Sequence, residues 1–191
     1  PGGYTNINAQ AGSFRKGTRA AYSAGNRIFT HRLSLSHSTG LTRSGWAVTT
    51  AASLRTGDEV NVPGTYFNAW SAFMSVQRRL NYRNDLTLTS FIAPVEQARA
   101  NASVRELFVL TGDPDYNSAW GYQNGRVRSA KVSRQTKPTA MLTHQYKTNE
   151  TTRIFTSLCF QGGRNSRTGL NYADAANPRP DYYRYLPSYY Y

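Results

Sequence analysis

Three histidines, one cysteine and ten carboxylates are the side chains of this 191-residue chain that could carry acid–base, nucleophilic or metal chemistry. Their spacing assembles none of it. His31, His37 and His144 belong to no H-E-x-x-H or comparable ligand pattern. Cys159, being alone, supports neither an intramolecular disulfide nor a zinc cluster and reads as a small side chain within a strand. Asp113 and Asp115 flank Pro114, which is turn chemistry rather than a carboxylate pair for proton transfer. Gly121-Tyr122-Gln123-Asn124-Gly125 carries an Asn-Gly turn signal but lacks the lysine and the following helix that a phosphate loop needs. Asn101-Ala102-Ser103 and Asn149-Glu150-Thr151 fit a glycosylation sequon too short to weigh. The expectation is that the chain is not an enzyme, with no catalytic residue, no metal ligand and no cofactor.

Binding chemistry is better represented. Six tyrosines stand in the last ten residues, where rings and hydroxyls can hold sugar or peptide; packing of a long loop on itself is the preferred reading of them. The net charge of +13 would ordinarily suggest nucleic acid. Nineteen of the 23 basic residues are arginine, and they are scattered over strands, turns and loops rather than gathered on one face. Nucleic acid is therefore not expected as a partner, and no ligand-binding residue is assigned.

The elements that would position these groups are strands. No sustained 3.6-residue period occurs, whereas a period of two recurs along the chain. Phe29, His31, Leu33, Leu35 and His37 alternate with Thr30, Arg32, Ser34 and Ser36, which places the two sets on opposite faces. Trp46 to Leu54, Trp70 to Val76, Leu86 to Ile92, Ala140 to Tyr146 and Ile154 to Phe160 repeat the alternation, with Phe91 on the wrong side. A strand near Thr18 to Ala24 makes seven. Arg32, Ser34, Ser36, Thr49, Arg55, Ser75, Gln77 and Ser157 fall on the polar face.

The connectors predict which kind of β protein this is. Leu41 to Gly45, Asn81 to Asp85 and Lys147 to Glu150 are short and rich in turn formers, while Thr56 to Asn68, Val95 to Pro138 and Gly163 to Tyr191 are long. Strict alternation of the two kinds is the pattern of an outer-membrane β-barrel, with short periplasmic turns and long extracellular loops. Trp46, Tyr82 and Tyr146 lie by the short-turn ends and Phe29, Trp70 and Phe160 toward the long-loop ends, five of the six in outward register, as interfacial aromatic girdles require. A hydrophobic content of 39% and a mean hydropathy of −0.61 leave no apolar run of the roughly 18 residues that a spanning helix needs. A barrel needs no such run. Pro1-Gly2-Gly3-Tyr4 lacks the basic and apolar regions of a signal peptide, so the expected amino terminus of an exported protein lies upstream.

Ordered motifs add a family. Gly2-Gly3-Tyr4-Thr5-Asn6-Ile7-Asn8 is similar to the strand that ends the plug of TonB-dependent outer-membrane receptors of the carboxypeptidase-regulatory-like, Oar-like subtype. Asn68-Ala69-Trp70-Ser71-Ala72-Phe73, Leu110-Thr111-Gly112-Asp113 with Trp120-Gly121-Tyr122-Gln123-Asn124-Gly125, and Asn177-Pro178-Arg179-Pro180-Asp181-Tyr182-Tyr183-Arg184 resemble family segments in the same order. The resemblance implies a 22-stranded antiparallel transmembrane barrel in the bacterial outer membrane, filled by a plug and driven through TonB to take up a nutrient. Residues 1–12 would then end the plug and 13–191 would form the first seven or so strands, an incomplete domain whose open edges need further strands. The implied partners are the lipid bilayer, the TonB system through a part not among these residues, and a surface lipoprotein or other outer-membrane protein at the loops. Two other classes stay open: a soluble β-sandwich binding carbohydrate or polyanion, and a non-transporting barrel component of a surface assembly.

Overall fold

The computed structural model describes residues 8–26, 28–58 and 62–191. Among these, the strands in chain order are β1 (Gly17–Ala24), β2 (His31–Ser38), β3 (Trp46–Asp58), β4 (Tyr66–Arg79), β5 (Asn84–Ile92), β6 (Val95–Ala98), β7 (Trp120–Gln123), β8 (Arg126–Ser129), β9 (Val132–Thr136), β10 (Thr139–Lys147), β11 (Arg153–Gln161) and β12 (Arg164–Arg167), with one short helix, α1 (Arg105–Thr111). The Gly2 to Ile7 motif lies outside the described residues.

The main sheet runs β1-β2-β3-β4-β5-β10-β11, antiparallel throughout. These are the seven strands that the period of two predicts. The fold is therefore all-β and antiparallel, and the sheet is open: β1 pairs only with β2, and β11 only with β10, so no closed barrel forms among the described residues. Strand ends differ from expectation. Phe29 precedes β2 rather than opening it. Thr56 to Asn68 is not one long loop, because β3 and β4 stay in register down to Asp58 and Tyr66. Thr56, Asp58 and Asn68 interrupt the apolar rhythm, but a backbone ladder, once begun, needs no apolar side chains to continue.

The stretch from Val95 to Pro138 is likewise not structureless. β6 extends the course of β5 along the far part of β4, pairing Val95 with Ala69 and Ala98 with Tyr66. β9 then pairs with β6, and β12 with β9. Three courses of the sheet thus each consist of two pieces: β5 with β6, β10 with β9, and β11 with β12. The joints fall at Ala93-Pro94, Lys137-Pro138 and Gly162-Gly163. Proline offers no amide donor to a ladder, and only its carbonyl is used here: Trp70 N donates to Pro94 O at 3.3 Å, and Gly162 N donates to Pro138 O at 3.2 Å.

Between β6 and β9 lie α1 and a β7–β8 hairpin that forms its own two-stranded sheet. Asn124 and Gly125 both adopt positive φ, 52° and 74°, which is the type I′ geometry that an Asn-Gly pair favours. The expected turn is there; the strands on either side of it are additional.

An ordinary apolar core is lacking among the described residues. The buried hydrophobic side chains are five alanines together with Leu107, Val132 and Leu186, of which α1 buries Leu107. Within the main sheet the buried side chains are mostly polar, and the largest that is completely buried is Ser75.

Candidate functional site

The two faces of the main sheet are chemically opposite, and register shows how each is built. On one face Val48, Val76, Leu88, Leu142 and Leu158 lie side by side across five strands. Leu33, Leu54 and Trp70 form a second row toward the far end, and Leu35, Ala52, Ala72 and Ile92 form the one beside it. Trp46 stands at the short-turn end, opposite Arg78, whose guanidinium lies 4.8 Å from the indole centroid. This face is open. Leu33, Leu35, Leu54, Trp70, Leu88, Leu142, Leu158 and Phe160 are all exposed, Leu158 at 74%. Isolated exposed leucines are unremarkable in a soluble protein, but three largely apolar rows on one sheet face are not, although His31, His37, Thr50, Ser90, His144 and Thr156 share that face.

The opposite face gathers Arg32, Ser34, Ser36, Thr49, Arg55, Ser75, Gln77 and Ser157, all eight of the residues expected there. Hydroxyls meet across the strands: Ser38 with Thr49 at 2.8 Å, Ser53 with Ser71 at 2.8 Å and Thr143 with Ser157 at 2.9 Å. The segment before β1 lies over the middle of this face. Ser75 Oγ donates to Ala9 O at 2.6 Å and Thr49 Oγ1 to Ala11 O at 3.3 Å. Gly12 N donates to Gln77 Oε1 at 2.8 Å, and Gln10 Nε2 to Gln145 Oε1 at 2.7 Å. Buried polar groups are costly only when unpaired, and here the cover supplies the partners. Phe91, the residue in the wrong register, is directly opposite Phe73 on this face, and Phe14 packs edge-on against Phe73 with ring centroids 6.3 Å apart. The misfit in the sequence thus stands beside the aromatic contact of the cover segment and is itself exposed.

None of the histidines joins a reactive cluster. Thr18 Oγ1 meets His37 Nδ1 at 2.7 Å, Tyr22 Oη meets His31 Nδ1 at 2.8 Å, and His144 Nε2 meets Asn84 Oδ1 at 2.9 Å. Each is a polar pairing between neighbouring strands. No group of His, Cys, Asp or Glu among the described residues could hold a metal ion. Asp115 N donates to Asp113 Oδ1 at 2.8 Å, the expected turn chemistry, and Cys159 is a free, exposed thiol.

One expectation fails on charge. The basic residues are not all scattered, because Arg43, Arg78, Arg79, Arg83, Lys147 and Arg153 line one cavity of about 780 Å³ at the short-turn end, along with Gln10, Gln77 and Gln145. Only one carboxylate, Asp85, shares its lining, and Arg79 holds that one at 3.2 Å. Arg78, Arg79 and Arg83 are near neighbours in the chain and Lys147 and Arg153 flank one turn, but these two groups and Arg43 meet only through strand register.

At the opposite end the tyrosine-rich terminus is fastened down. Asp181, whose side chain is 2% exposed, accepts from Arg179 Nε at 2.8 Å and from Ser118 Oγ at 2.6 Å. Ser188 N donates to Glu106 Oε1 of α1 at 2.9 Å. Tyr182, Tyr183, Tyr185, Tyr189 and Tyr190 pack edge to face in a chain of rings, so the segment does pack on itself. Burial pushes the Asp181 carboxyl up, but the hydrogen bonds from Arg179 and Ser118 outweigh it and hold the group below the usual carboxylate range. Since the folded value is depressed, the stabilisation is complete above the unfolded value of about 3.9 and is lost as pH falls through the folded one. We expect the protection of amides in residues 177–191, relative to the unfolded chain at the same pH, to fall below about pH 4. Asp181→Asn should give the same loss of protection at neutral pH, by about tenfold or more; equal exchange in the variant and the parent would show that the clasp holds nothing.

Comparison of the chain with protein families, with curated proteins and with solved structures finds no match.

Proposed function

We propose that the chain forms part of the wall and outer loops of a β-barrel in the bacterial outer membrane, and that this barrel is a receptor of the TonB-dependent type taking up a nutrient. The observation that carries the reading is the inversion of burial: the apolar face of the main sheet is open while the middle of the polar face, around Thr49, Ser75, Gln77, Thr87 and Thr89, is covered. Lipid favours that arrangement because it solvates Leu and Val and offers nothing to Ser or Thr. The dimensions agree. From Trp46 to Leu54, which is paired with Trp70, the strand covers roughly 26 Å at about 3.3 Å per residue. A tilt of about 40° reduces this to roughly 20 Å, close to the apolar band of about 25 Å in such barrels.

The free edges of β1 and β11 fit the same reading, since exposed ladder groups in hydrocarbon must be paired and further strands would close the wall. The segment from Asn8 to Phe14, seated on the polar face, would be the end of a plug entering the barrel. The transport assignment and the TonB partnership rest on the motif resemblance; the membrane assignment rests on the faces. A soluble sandwich would bury the apolar face beneath a second sheet, and the only other sheet among the described residues is the small β7–β8 hairpin.

Fractionation tests the membrane assignment. We expect the protein to sediment with the outer membrane and to be released by detergent but not by high salt or carbonate. Recovery in the aqueous fraction as a folded monomer would overturn it. Energy-dependent uptake that disappears when TonB is absent tests the transport assignment separately.

A further inference from the structure

Six basic side chains line a cavity at the short-turn end of the sheet that the wall function does not require. Lys147 and Arg153 are direct register partners at the ends of β10 and β11, both projecting to the polar face. Like charges directly opposite on neighbouring strands repel. Arg83 belongs to the turn alongside, where its carbonyl accepts from Lys147 N at 2.8 Å, and Arg43 comes from the neighbouring turn. Among the described residues none of Arg43, Arg83, Lys147 and Arg153 forms an ion pair, and Asp85 is already engaged by Arg79. Arg78 is otherwise occupied, stacked over Trp46 on the apolar face and donating to Ser44 O at 2.6 Å.

We propose that this cavity binds a multiply charged phosphate group. Its uncompensated cations exceed what one carboxylate could neutralise. Guanidinium forks match phosphate oxygens two at a time, and an ammonium adds a point charge. An anion lodged between Lys147 and Arg153 converts their repulsion into two attractions. Gln77 and Gln145 border the site, but each already accepts a hydrogen bond from the cover segment, so the segment from Gln10 to Ser13 forms one wall of the cavity and the anion would sit against it. The same chemistry occurs in a free phosphorylated solute and in a phospholipid headgroup. Lys147, Arg153 and Arg79 project to the polar face, which favours the solute. The site belongs to the chain's own polar face and does not depend on the membrane reading, so failure here leaves the test of the apolar face intact.

Titration with pyrophosphate of the full protein in a neutral detergent, followed by calorimetry, is the direct experiment. We expect saturable binding that weakens steeply with salt and falls about tenfold or more in the double variant Lys147→Gln, Arg153→Gln. Arg32→Gln, on the same face but outside the cavity, should leave the affinity unchanged. Without anion, the double variant should unfold at a higher temperature than the parent, because the repulsion is gone; this also shows that the variant folds. In a second arm the protein is placed in phosphatidylcholine vesicles with and without phosphatidylglycerol. Lipid-dependent stabilisation that requires Lys147 and Arg153 and is competed by pyrophosphate assigns the site to a headgroup. Absence of saturable binding in both arms, or binding that the double variant leaves unchanged, overturns the proposal.

Discussion

Leu88→Arg should lower the folding stability of the protein in a bilayer by about 1–3 kcal/mol, between the penalty for a cation at the midplane of the lipid face and that near its margin. Leu88 belongs to the row Val48, Val76, Leu88, Leu142, Leu158, the first one in from Trp46, and its side chain is open to whatever solvent surrounds that face. If that solvent were water, replacing a half-exposed leucine would change stability by no more than about 0.5 kcal/mol in either direction. The two environments therefore predict effects that differ severalfold. Two companions sharpen the comparison. Leu54→Arg, in the row with Trp70 near the far margin, should cost only about 0–1 kcal/mol, because the penalty falls toward the interface. Ser157→Arg, on the polar face and exposed, should be tolerated to within about 1 kcal/mol, with loss of the contact to Thr143 its main consequence. Urea unfolding from phosphatidylcholine vesicles reads all three, and equal midpoints for Leu88→Arg and Ser157→Arg would remove the basis for placing the apolar face in lipid.

Gly64→Ala should detach the β7–β8 hairpin from the β3–β4 connection while leaving the main sheet in place. Gly64 adopts φ +72°, where a side chain costs about 1–2 kcal/mol. A Cβ there would also lie 2.2 Å from Trp120 Cβ and 2.4 Å from Trp120 Cγ. Rotating the indole gives no relief, because a rotamer change cannot move Cβ. The backbone of β7 must retreat, and the neighbouring bond from Asn117 Nδ2 to Pro63 O, 2.9 Å, is lost with it. We expect a total of about 2–4 kcal/mol against docking of the hairpin. Amide exchange across residues 117–130 should rise by about 30-fold to 1,000-fold while β2 to β5 keep their protection. Trp120→Ala retains the offending Cβ and should not rescue; Trp120→Gly should rescue in part. Unchanged protection in Gly64→Ala would mean that the hairpin is not held at this contact.

The seven main strands were legible because a sheet with two chemically different faces imposes a period of two on every strand, and that period survives in single residues such as Leu33, Val48 and Leu142. The polar set was legible for the same reason, down to Ser157 near the end of the last course. Strand ends were not, since Asp58 and Tyr66 pair through backbone groups that leave no mark on side-chain type. β6, β9 and β12 were hidden because each is four or five residues long and set apart from its parent strand by Pro94, Pro138 or Gly163, residues that otherwise signal an end. α1 escaped because it is seven residues long, shorter than the window in which a helical period can be recognised. The basic cavity was the least legible feature: Arg43, Arg83 and Arg153 come from three different turns or strand ends, and only the ladder brings them together.

The joints at Pro94, Pro138 and Gly162-Gly163 interrupt three adjacent courses of the sheet on one side of Trp70 and Phe160. A register error or an insertion beyond that line has no continuous ladder through which to propagate into β5, β10 or β11. The sheet should thus answer an insertion in two ways. Below the line a single inserted residue would flip every side chain beyond it to the other face. Above it, the shift would stop at the joint and leave both faces of β5, β10 and β11 in register.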